Sequence, residues 1–595
     1  MRDPLNTAMP PTEAVTHLLQ PVIDRAKREP GKPVAAFRVG DEFADVTAGE
    51  FHDRVRQLAK GLMASGVDAG DRVALMAHTR FEWLLADYAI LAAGGTTVPV
   101  YETSSAEQLQ WIISDSDAVL LVAETPAMRA MAAGVAVETP TCREAFVIDE
   151  GGLAELERRG AGVDDAQLDA RITGIGTDAV ATIVYTSGTT GRPKGCALTH
   201  RNLQANVLQN IDALREVLEP EEVTLLFLPL AHVLTKIIAL VGTEWGIKLA
   251  FASDMAHLQE ELAMVRPTMV VAVPRVFEKV FNSAQSKAHT EGHGSIFDKA
   301  VEVAIRWSRD HVAGRHRPIT AAEHAAFDRL VYRKLQAVFG GRMRFAFSGG
   351  GPLGERLTHF FNGAGVTVFE GYGLTETSPT LTLNRTGAWK PGTVGRPLAV
   401  TAIRTGGDGE ILAKGPQVFG GYWRNEAATS ETFADDGWFR TGDIGELDGD
   451  GFLRITGRKK ELIVTAAGKN VAPEPLEDRI RAHPLVSQAV VVGDARPFIA
   501  ALVTLDEDAV REWAAGHGRG DAAAADLVDD ETLGAEVQAA IDDANRSVSR
   551  AESIRKFALL PRDLTIESGE LTPTLKVRRS IVEKSYQHVI DGLYS

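Results

Sequence analysis

Eleven residues, Tyr185-Thr186-Ser187-Gly188-Thr189-Thr190-Gly191-Arg192-Pro193-Lys194-Gly195, gather three glycines, four aliphatic hydroxyls and two cations with almost nothing to bury. Glycine tolerates positive φ and lets backbone N–H groups approach a ligand closely, so such a loop can turn amides and hydroxyls onto phosphate oxygens. Arg192 and Lys194 add charge that an anion neutralises. The loop is not the P-loop of the ordinary NTPases. Counting from Gly188, Pro193 stands where the second glycine belongs, and Gly195 follows Lys194 in place of Ser or Thr. Pro193 also restricts Arg192 to extended conformations. Phosphate is handled here by another geometry.

Two more glycine-rich stretches carry chemistry. Ser348-Gly349-Gly350-Gly351-Pro352-Leu353 offers a flat backbone surface on which an adenine can lie. Glu370-Gly371-Tyr372-Gly373-Leu374-Thr375-Glu376-Thr377 sets a hydroxyl beside a carboxylate at Thr375 and Glu376. One carboxylate plus phosphate oxygens suits Mg²⁺, which keeps several of its waters.

Each of these loops follows a short apolar run that reads as a strand: 181–184, 343–347 and 366–369. In an open parallel sheet, ligands bind beyond the carboxyl ends of the strands. Upstream, strand-like runs at 72–76, 96–100 and 118–122 alternate with helical periodicity at 81–93 and 106–114, the pattern of α/β units. A helix is expected over 51–64, ended by Gly66. The stretch 281–339 reads as a long, charged helical excursion on the sheet, a solvated helical pair. Closely spaced turns over 392–455 predict a small β-rich subdomain. Gly457-Arg458-Lys459-Lys460 joins it to a last α+β domain, in which 506–540 reads as helix broken at 516–520. The expected division is therefore a large α/β domain, 1–456, and a small mobile domain, 457–595.

Composition narrows the function. A chain of 595 residues exceeds one core. A net charge of -17 argues against a dedicated nucleic-acid binder. The two cysteines, Cys142 and Cys196, have no metal spacing and suit a reducing cytoplasm, with Cys196 a packing residue. Residues 1–16 lack the apolar core of a signal peptide, and no apolar run approaches the roughly 20 residues that span a bilayer. The expectation is a cytoplasmic protein, at most peripheral to a membrane.

In order along the chain, Tyr185–Gly195, Tyr372–Glu376, Thr441-Gly442-Asp443, Gly457-Arg458 and Lys576 resemble the motif series of the adenylate-forming superfamily across residues 30–590. Ser348–Leu353, Glu461-Leu462-Ile463-Val464-Thr465 and Gly468-Lys469-Asn470-Val471-Ala472-Pro473 are similar to bacterial long-chain fatty-acyl-CoA synthetases, as is the helical excursion. The resemblance implies two steps: a carboxylate attacks the α-phosphorus of ATP, giving acyl-adenylate and pyrophosphate, and the thiol of coenzyme A then displaces AMP.

It also implies roles. Thr186, Ser187, Gly188, Thr189, Thr190 and Lys194 line the phosphates. Glu376 with Thr189 holds Mg²⁺, and Thr375 meets the α-phosphate. Gly349, Gly350, Gly351, Gly371, Tyr372 and Gly373 contact the nucleotide, Asp443 accepts from the ribose hydroxyls, and Arg458 reaches the ribose or a phosphate. Lys576 bridges the attacking carboxylate and the α-phosphate. His232 orients or gates the acid; no general base is needed, because the acid is already ionised at neutral pH. Lys460 is the hinge about which the small domain turns between the two steps, and Gly468 faces the thiol.

The acyl pocket is expected between Val233 and Trp245 and beside Gly349, Gly350 and Gly351, with Lys236 lining a solvent channel and no aromatic gate directly after His232. Each buried CH₂ contributes about 0.8 kcal/mol, so a deep tunnel separates long acids from short ones. Two rivals share these residues. A ligase that loads an acyl carrier protein is disfavoured by the lack of an extra insertion after the hinge. A non-catalytic acyl-nucleotide sensor or fatty-acid carrier is disfavoured by the joint presence of Lys576, Glu376 and Asp443.

Overall fold

The computed structural model describes residues 15–186, 192–219, 221–466, 469–520, 522–550, 552–572 and 575–595. The predicted α/β alternation appears as two large sheets. One has six strands in the spatial order Glu144–Val147, Ala118–Ala123, Arg72–Met76, Thr96–Val100, Val180–Thr186 and Lys194–Thr199. The first five run parallel, and Lys194–Thr199 turns back antiparallel on Val180–Thr186. The other has nine strands, with Met269–Ala272, Phe345–Ser348 and Thr367–Gly373 as parallel neighbours. Ala272 pairs with Ser348 and Ser348 with Glu370, so the loops leaving these strands start at one level.

The helix Phe81–Ala92 shows why the sheets hold together. Every residue in it except Glu82 is buried, and its Trp83, Leu85 and Ile90 share a core with Val73 and Leu75 of one sheet and Leu249 and Phe251 of the other. A helix apolar all round belongs between two layers. The helix expected over 51–64 starts three residues earlier, at Ala48, because Thr47 and Glu50 form a reciprocal capping box there. Gly66 follows it at φ +84°, as a left-handed terminator.

The predicted β-rich subdomain is a four-stranded antiparallel sheet, Ala402–Thr405, Glu410–Lys414, Phe439–Leu447 and Leu453–Arg458. The C-terminal domain is built on Val486–Val492, Ile499–Leu505 and Ile554–Leu559. Strand alternation sorts its two faces: Ala489 and Val491 pack under the helices Glu474–Arg481 and Glu531–Asn545, while Val490 and Val492 meet the last two helices through Val582 and Ile590.

Two expectations are corrected. The excursion is not a solvated pair but a run of helices, Pro274–Thr290, Gly294–Val312, Pro318–Phe327 and Arg333–Val338, with a π-helical stretch at Asp328–Tyr332. Its charges mask the aromatics of its inner face: Phe277, Phe281, Phe297 and Tyr332 are buried with Phe360 and Phe361 in a second core. Lys236 lines no channel. Its ammonium is enclosed in the core 2.7 Å from Asp87 Oδ1 and over the Trp83 ring. Among the described residues, no helix is long and apolar enough to cross a membrane.

Candidate active site

The hairpin register pairs Thr186 with Lys194, so the strand Val180–Thr186 and its return strand hold both ends of the glycine-rich loop. Ser187, Gly188, Thr189 and Thr190 lie outside the described residues, as does Gly468. The loop's flanks are stapled. Trp111 Nε1 donates to the Pro193 carbonyl at 2.9 Å, and the Trp423 amide donates to the Gly195 carbonyl at 2.7 Å. Tyr185 donates its hydroxyl to Asp115, whose backbone carbonyl accepts from Trp423 Nε1. Gly195 is required by space, since a Cβ there would lie 2.7 Å from Ile183.

Tyr422 links this hairpin to the third loop. Its ring lies 5.2 Å from Lys194 Nζ, and its hydroxyl donates to Glu376 Oε1 at 2.8 Å. Glu376 and Thr375 sit in the single turn Thr375–Thr377, directly after the strand that ends in Gly371, Tyr372 and Gly373. Cys196 is sealed beneath, its thiol pushed well up by burial and then by Glu376, so it is an inert packing residue as expected.

A second corner is built by sheet register. Asp443 and Arg458 are opposite residues on neighbouring strands of the small sheet, and Arg458 Nε lies 3.1 Å from Asp443 Oδ1. From the nine-stranded sheet, Tyr372 donates its hydroxyl to Asp443 Oδ2 at 2.6 Å. Burial, and then the Asp443 charge, raise the Tyr372 hydroxyl far above its ordinary range, so it remains a donor. Gly371 and Gly373 have packing reasons of their own: a Cβ on Gly373 would lie 1.7 Å from the Pro379 carbonyl oxygen, and one on Gly371 would lie 3.0 Å from Leu383.

Beside Gly371 lies the ledge Gly349, Gly350 and Gly351: a Cβ on Gly349 would lie 3.9 Å from the Gly371 carbonyl oxygen. Gly350 takes φ +83°, which favours glycine. Around the ledge stand Leu234, Val273, Pro274 and Lys576, whose Cε would be 3.9 Å from a Cβ on Gly350. His232 caps the helix Val233–Trp245 that carries Leu234, its Nδ1 accepting from the Leu234 amide at 3.1 Å. With Nδ1 an acceptor, Nε2 bears the proton. Burial, and then the charge of Lys576, push the ring's pKa down to about 3, so His232 is neutral.

Lys576 comes from the C-terminal domain on a closed turn: the Leu575 amide donates to the Thr572 carbonyl, and the Lys576 amide to Thr572 Oγ1. Leu575 is held at φ +60°, a strained conformation for a branched side chain. The Lys576 side chain is open to solvent, yet it stands in a cleft crowded by protein. That crowding, ahead of the Arg458 charge, lowers its pKa, while Asp443, Glu474 and Glu461 pull the other way. Lys460 is exposed in the single turn Lys459–Glu461.

The structure thus brings together Lys194, Glu376, Tyr372, Asp443, Arg458, His232, the glycine ledge and Lys576, and sets Lys460 in the exposed turn that follows Arg458. Of the helix Val233–Trp245, where the acyl pocket was expected, Leu234 reaches the glycine ledge, whereas Val233, Ile237 and Leu240 are buried in the main core. Sequence reasoning missed Tyr422, Trp111, Trp423, Asp115 and Glu474. Only Gly420-Gly421-Tyr422-Trp423, two aromatics after a glycine pair, gave a local signal.

Comparison with known proteins places this geometry in a family. Residues 22–423 match the AMP-binding enzyme family, and residues 460–595 match the AMP-binding enzyme C-terminal domain. The chain is 48% identical over 582 residues to the long-chain-fatty-acid–CoA ligase FadD15 of Mycobacterium tuberculosis, covering 96% of each chain. It is 30% identical to the human long-chain-fatty-acid–CoA ligase ACSBG1, covering 94% of this chain and 82% of the relative. Among solved structures, ATP-bound MatB from Rhodopseudomonas palustris superposes with a TM-score of 0.72 at 26% identity, covering 96% of this chain and 99% of that one. The adenylation domain of a carboxylate reductase from Mycobacterium chelonae shares the fold, with a TM-score of 0.76 at 22% identity over 98% of this chain and 92% of that one. By sequence and by fold, the chain belongs to the AMP-binding enzyme family of adenylate-forming proteins.

Proposed function

We propose that the chain is an AMP-forming long-chain fatty-acid–CoA ligase that uses ATP and coenzyme A. The observation that carries the reading is the convergence of Lys576, His232 and the Tyr372–Asp443–Arg458 corner on the ledge at Gly349, Gly350 and Gly351. In the first step a carboxylate oxygen bonds to the α-phosphorus and the bond to pyrophosphate breaks. Both reactants are anionic, so catalysis is positioning and charge neutralisation. Lys576 supplies a positive charge between them. Neutral His232 donates from Nε2 to orient the carboxylate without becoming a second cation. Asp443 receives the ribose hydroxyls, Lys194 and the glycine-rich loop take the phosphates, and Thr375 takes the α-phosphate.

Glu376 would hold Mg²⁺ together with Thr189. The donor set fits such an ion: Glu376 stands beside Thr375 in one turn, and the Tyr422 hydroxyl donates to one of its oxygens and orients the carboxylate. A single carboxylate suits an ion that relies mainly on phosphate oxygens and water. When bound, the ion neutralises phosphate charge.

In the second step the thiol of coenzyme A attacks the acyl carbonyl and AMP leaves. Lys576 has no task there, and we place the division of the chain at residue 456/457, with Lys460 the hinge and Gly468 facing the thiol. Two free thiols suit a reducing compartment, the cytoplasm. The test is AMP and pyrophosphate release with Mg·ATP over acids from acetate to oleate, with and without coenzyme A. Turnover that needs coenzyme A and rises with chain length is expected. Pyrophosphate release that stalls after one turnover with coenzyme A present would assign the chain to carrier-protein loading, and no release with any acid would turn the reading to another carboxylate or to the sensor.

A further inference from the structure

Where the edge of the nine-stranded sheet meets the small sheet, two guanidiniums stand together without a counter-ion. Leu383, the last residue of the strand Thr380–Leu383, lies opposite Arg396 on the edge strand Arg396–Pro397. Opposite residues of an antiparallel pair project to one face, and Arg385, two residues beyond Leu383, projects with them. Burial, and then the charge of Arg396, lower the pKa of Arg385, as two neighbouring cations require. Asp212 pulls the other way, but it is exposed and lies 3.7 Å from Arg215.

Each guanidinium keeps one buried nitrogen with no acceptor, Nη1 of Arg385 and Nε of Arg396. Arg25, Arg306 and Arg579 also carry such a nitrogen, but each has a carboxylate on another one. Among the described residues, Arg385 and Arg396 have no carboxylate within 4.0 Å. Arg396 lies over the Phe452 ring, 4.5 Å from its centroid. The segment between the two arginines is fixed. Asn384, fully buried, donates from Nδ2 to the Thr393 carbonyl at 2.6 Å and accepts from the Lys390 amide at 2.9 Å. Gly395 holds φ +83°, and a Cβ there would lie 2.0 Å from the Leu383 carbonyl carbon, so the strand carrying Arg396 is pressed onto its neighbour. Lys390, the third cation of the segment, is already paired with Asp448.

Half-buried charges of one sign cost stability unless something neutralises them. A guanidinium keeps its proton, so the neutralising group is an anion. One fork is filled by the two oxygens of a carboxylate, whereas two fixed forks call for the three or four oxygens of a tetrahedral oxyanion. We propose that Arg385 and Arg396 form a binding site for a phosphate group, carried by inorganic phosphate or by a small phosphomonoester. Arg396 is two strands away from the strand that carries Tyr372, and the site does not rest on the catalytic assignment.

The test is calorimetric titration of the full-length chain with inorganic phosphate, and separately with glycerol 3-phosphate, against chloride at equal ionic strength. Saturating Mg²⁺ and a non-hydrolysable ATP analogue fill the catalytic cleft throughout. One phosphate site is expected, weakened about tenfold or more by Arg385→Gln or Arg396→Gln and less by Arg385→Lys, which keeps the charge without the fork. In phosphate-free buffer both Gln variants should melt no lower than the parent, since each removes an unneutralised charge, and added phosphate should raise the melting temperature of the parent alone. Tighter binding of glycerol 3-phosphate would make the ligand a monoester, and the reverse order would make it free phosphate; both support the site. No heat from either, heat reproduced by chloride, or affinity unchanged in both Gln variants overturns it. So does a fall in melting temperature of both Gln variants in phosphate-free buffer, which would make the two arginines part of the fold alone.

Discussion

Two lysines stand close to His232 and are held in opposite ways. Lys236 is one turn further along the His232 helix, its amide bonded to the His232 carbonyl and its ammonium sealed against Asp87 with neither side chain more than 2% exposed. Lys576 arrives from another domain on a strained turn, is open to solvent, and has no ion-pair partner within 4.0 Å among the described residues. The difference teaches where charge is available. Asp87 neutralises Lys236 inside one domain, so that charge serves the fold. Lys576 meets carboxylates only at a distance, so its charge is left for a substrate. Removing the first should cost stability, and removing the second should cost rate.

The largest expected effect is Lys236→Ala, which leaves the Asp87 carboxylate buried without a partner and should lower unfolding stability by about 3–5 kcal/mol. Urea unfolding checks this, and Lys236→Met with Asp87→Leu should recover most of the loss, because the pair as a whole contributes little beyond a well-packed apolar replacement. An unstable double variant would mean that the pair does more than neutralise itself. Next comes Lys576→Ala, expected to slow acyl-adenylate formation by about 10²-fold or more with unfolding stability unchanged. Thioester formation from supplied acyl-adenylate should survive. If both half-reactions fell together, Lys576 would belong to the fold as Lys236 does, and the comparison would collapse.

How far these contrasts were legible in the sequence follows from how local each one is. The strand ahead of the glycine-rich loop, the α/β alternation and the β-rich turns are written in consecutive residues, and the structure follows them; the return strand Lys194–Thr199 was not read from the sequence. Asp443 was legible through its motif, and sheet register alone then set Arg458 opposite it. Partners distant in sequence were not legible. Lys236 and Asp87 are 149 residues apart, Tyr422 and Glu376 are 46 apart, and nothing in either local pattern names the other. Gly373 shows the converse: within its motif it reads as a ligand contact, whereas the close approach of the Pro379 carbonyl already demands glycine there. The excursion was misread because its surface charges dominate the pattern and hide the aromatics spaced along its inner face.

A smaller effect separates the two groups that flank the substrate carboxylate. Crowding and Arg458 lower the pKa of Lys576, so the cation needed for adenylation is lost at lower pH than a free lysine would lose it, and activity should fall on the alkaline side. Lys576→Arg should move that limb upward, at a maximal rate about tenfold lower, since a guanidinium keeps its proton but not the geometry. His232, with its pKa near 3, should give no acid limb between pH 5 and 8, and His232→Gln should lower the rate without changing the shape of the profile. An acid limb near pH 6 that disappears in His232→Gln would show that the ring titrates in the working enzyme.

The smallest effect concerns what delivers Lys576 to the ledge. Arg275, on the helix Pro274–Thr290 directly after the strand that borders the ledge, donates from Nη2 to Ser487 of the C-terminal domain at 3.0 Å and lies 3.7 Å from Asp506. Farther along the same helix, Ser286 and Thr290 donate their hydroxyls to Glu512. These contacts join the two domains in the one arrangement that sets Lys576 over Gly350, and none of them touches the site. Half-exposed pairs of this kind contribute about 1 kcal/mol, so Arg275→Ala should shift the domain equilibrium about fivefold away from this arrangement. Adenylation should slow by that factor, whereas thioester formation from supplied acyl-adenylate should hold or rise. A uniform loss in both half-reactions would make Arg275 a residue of general stability, and no change in either would mean that substrate alone seats the domain.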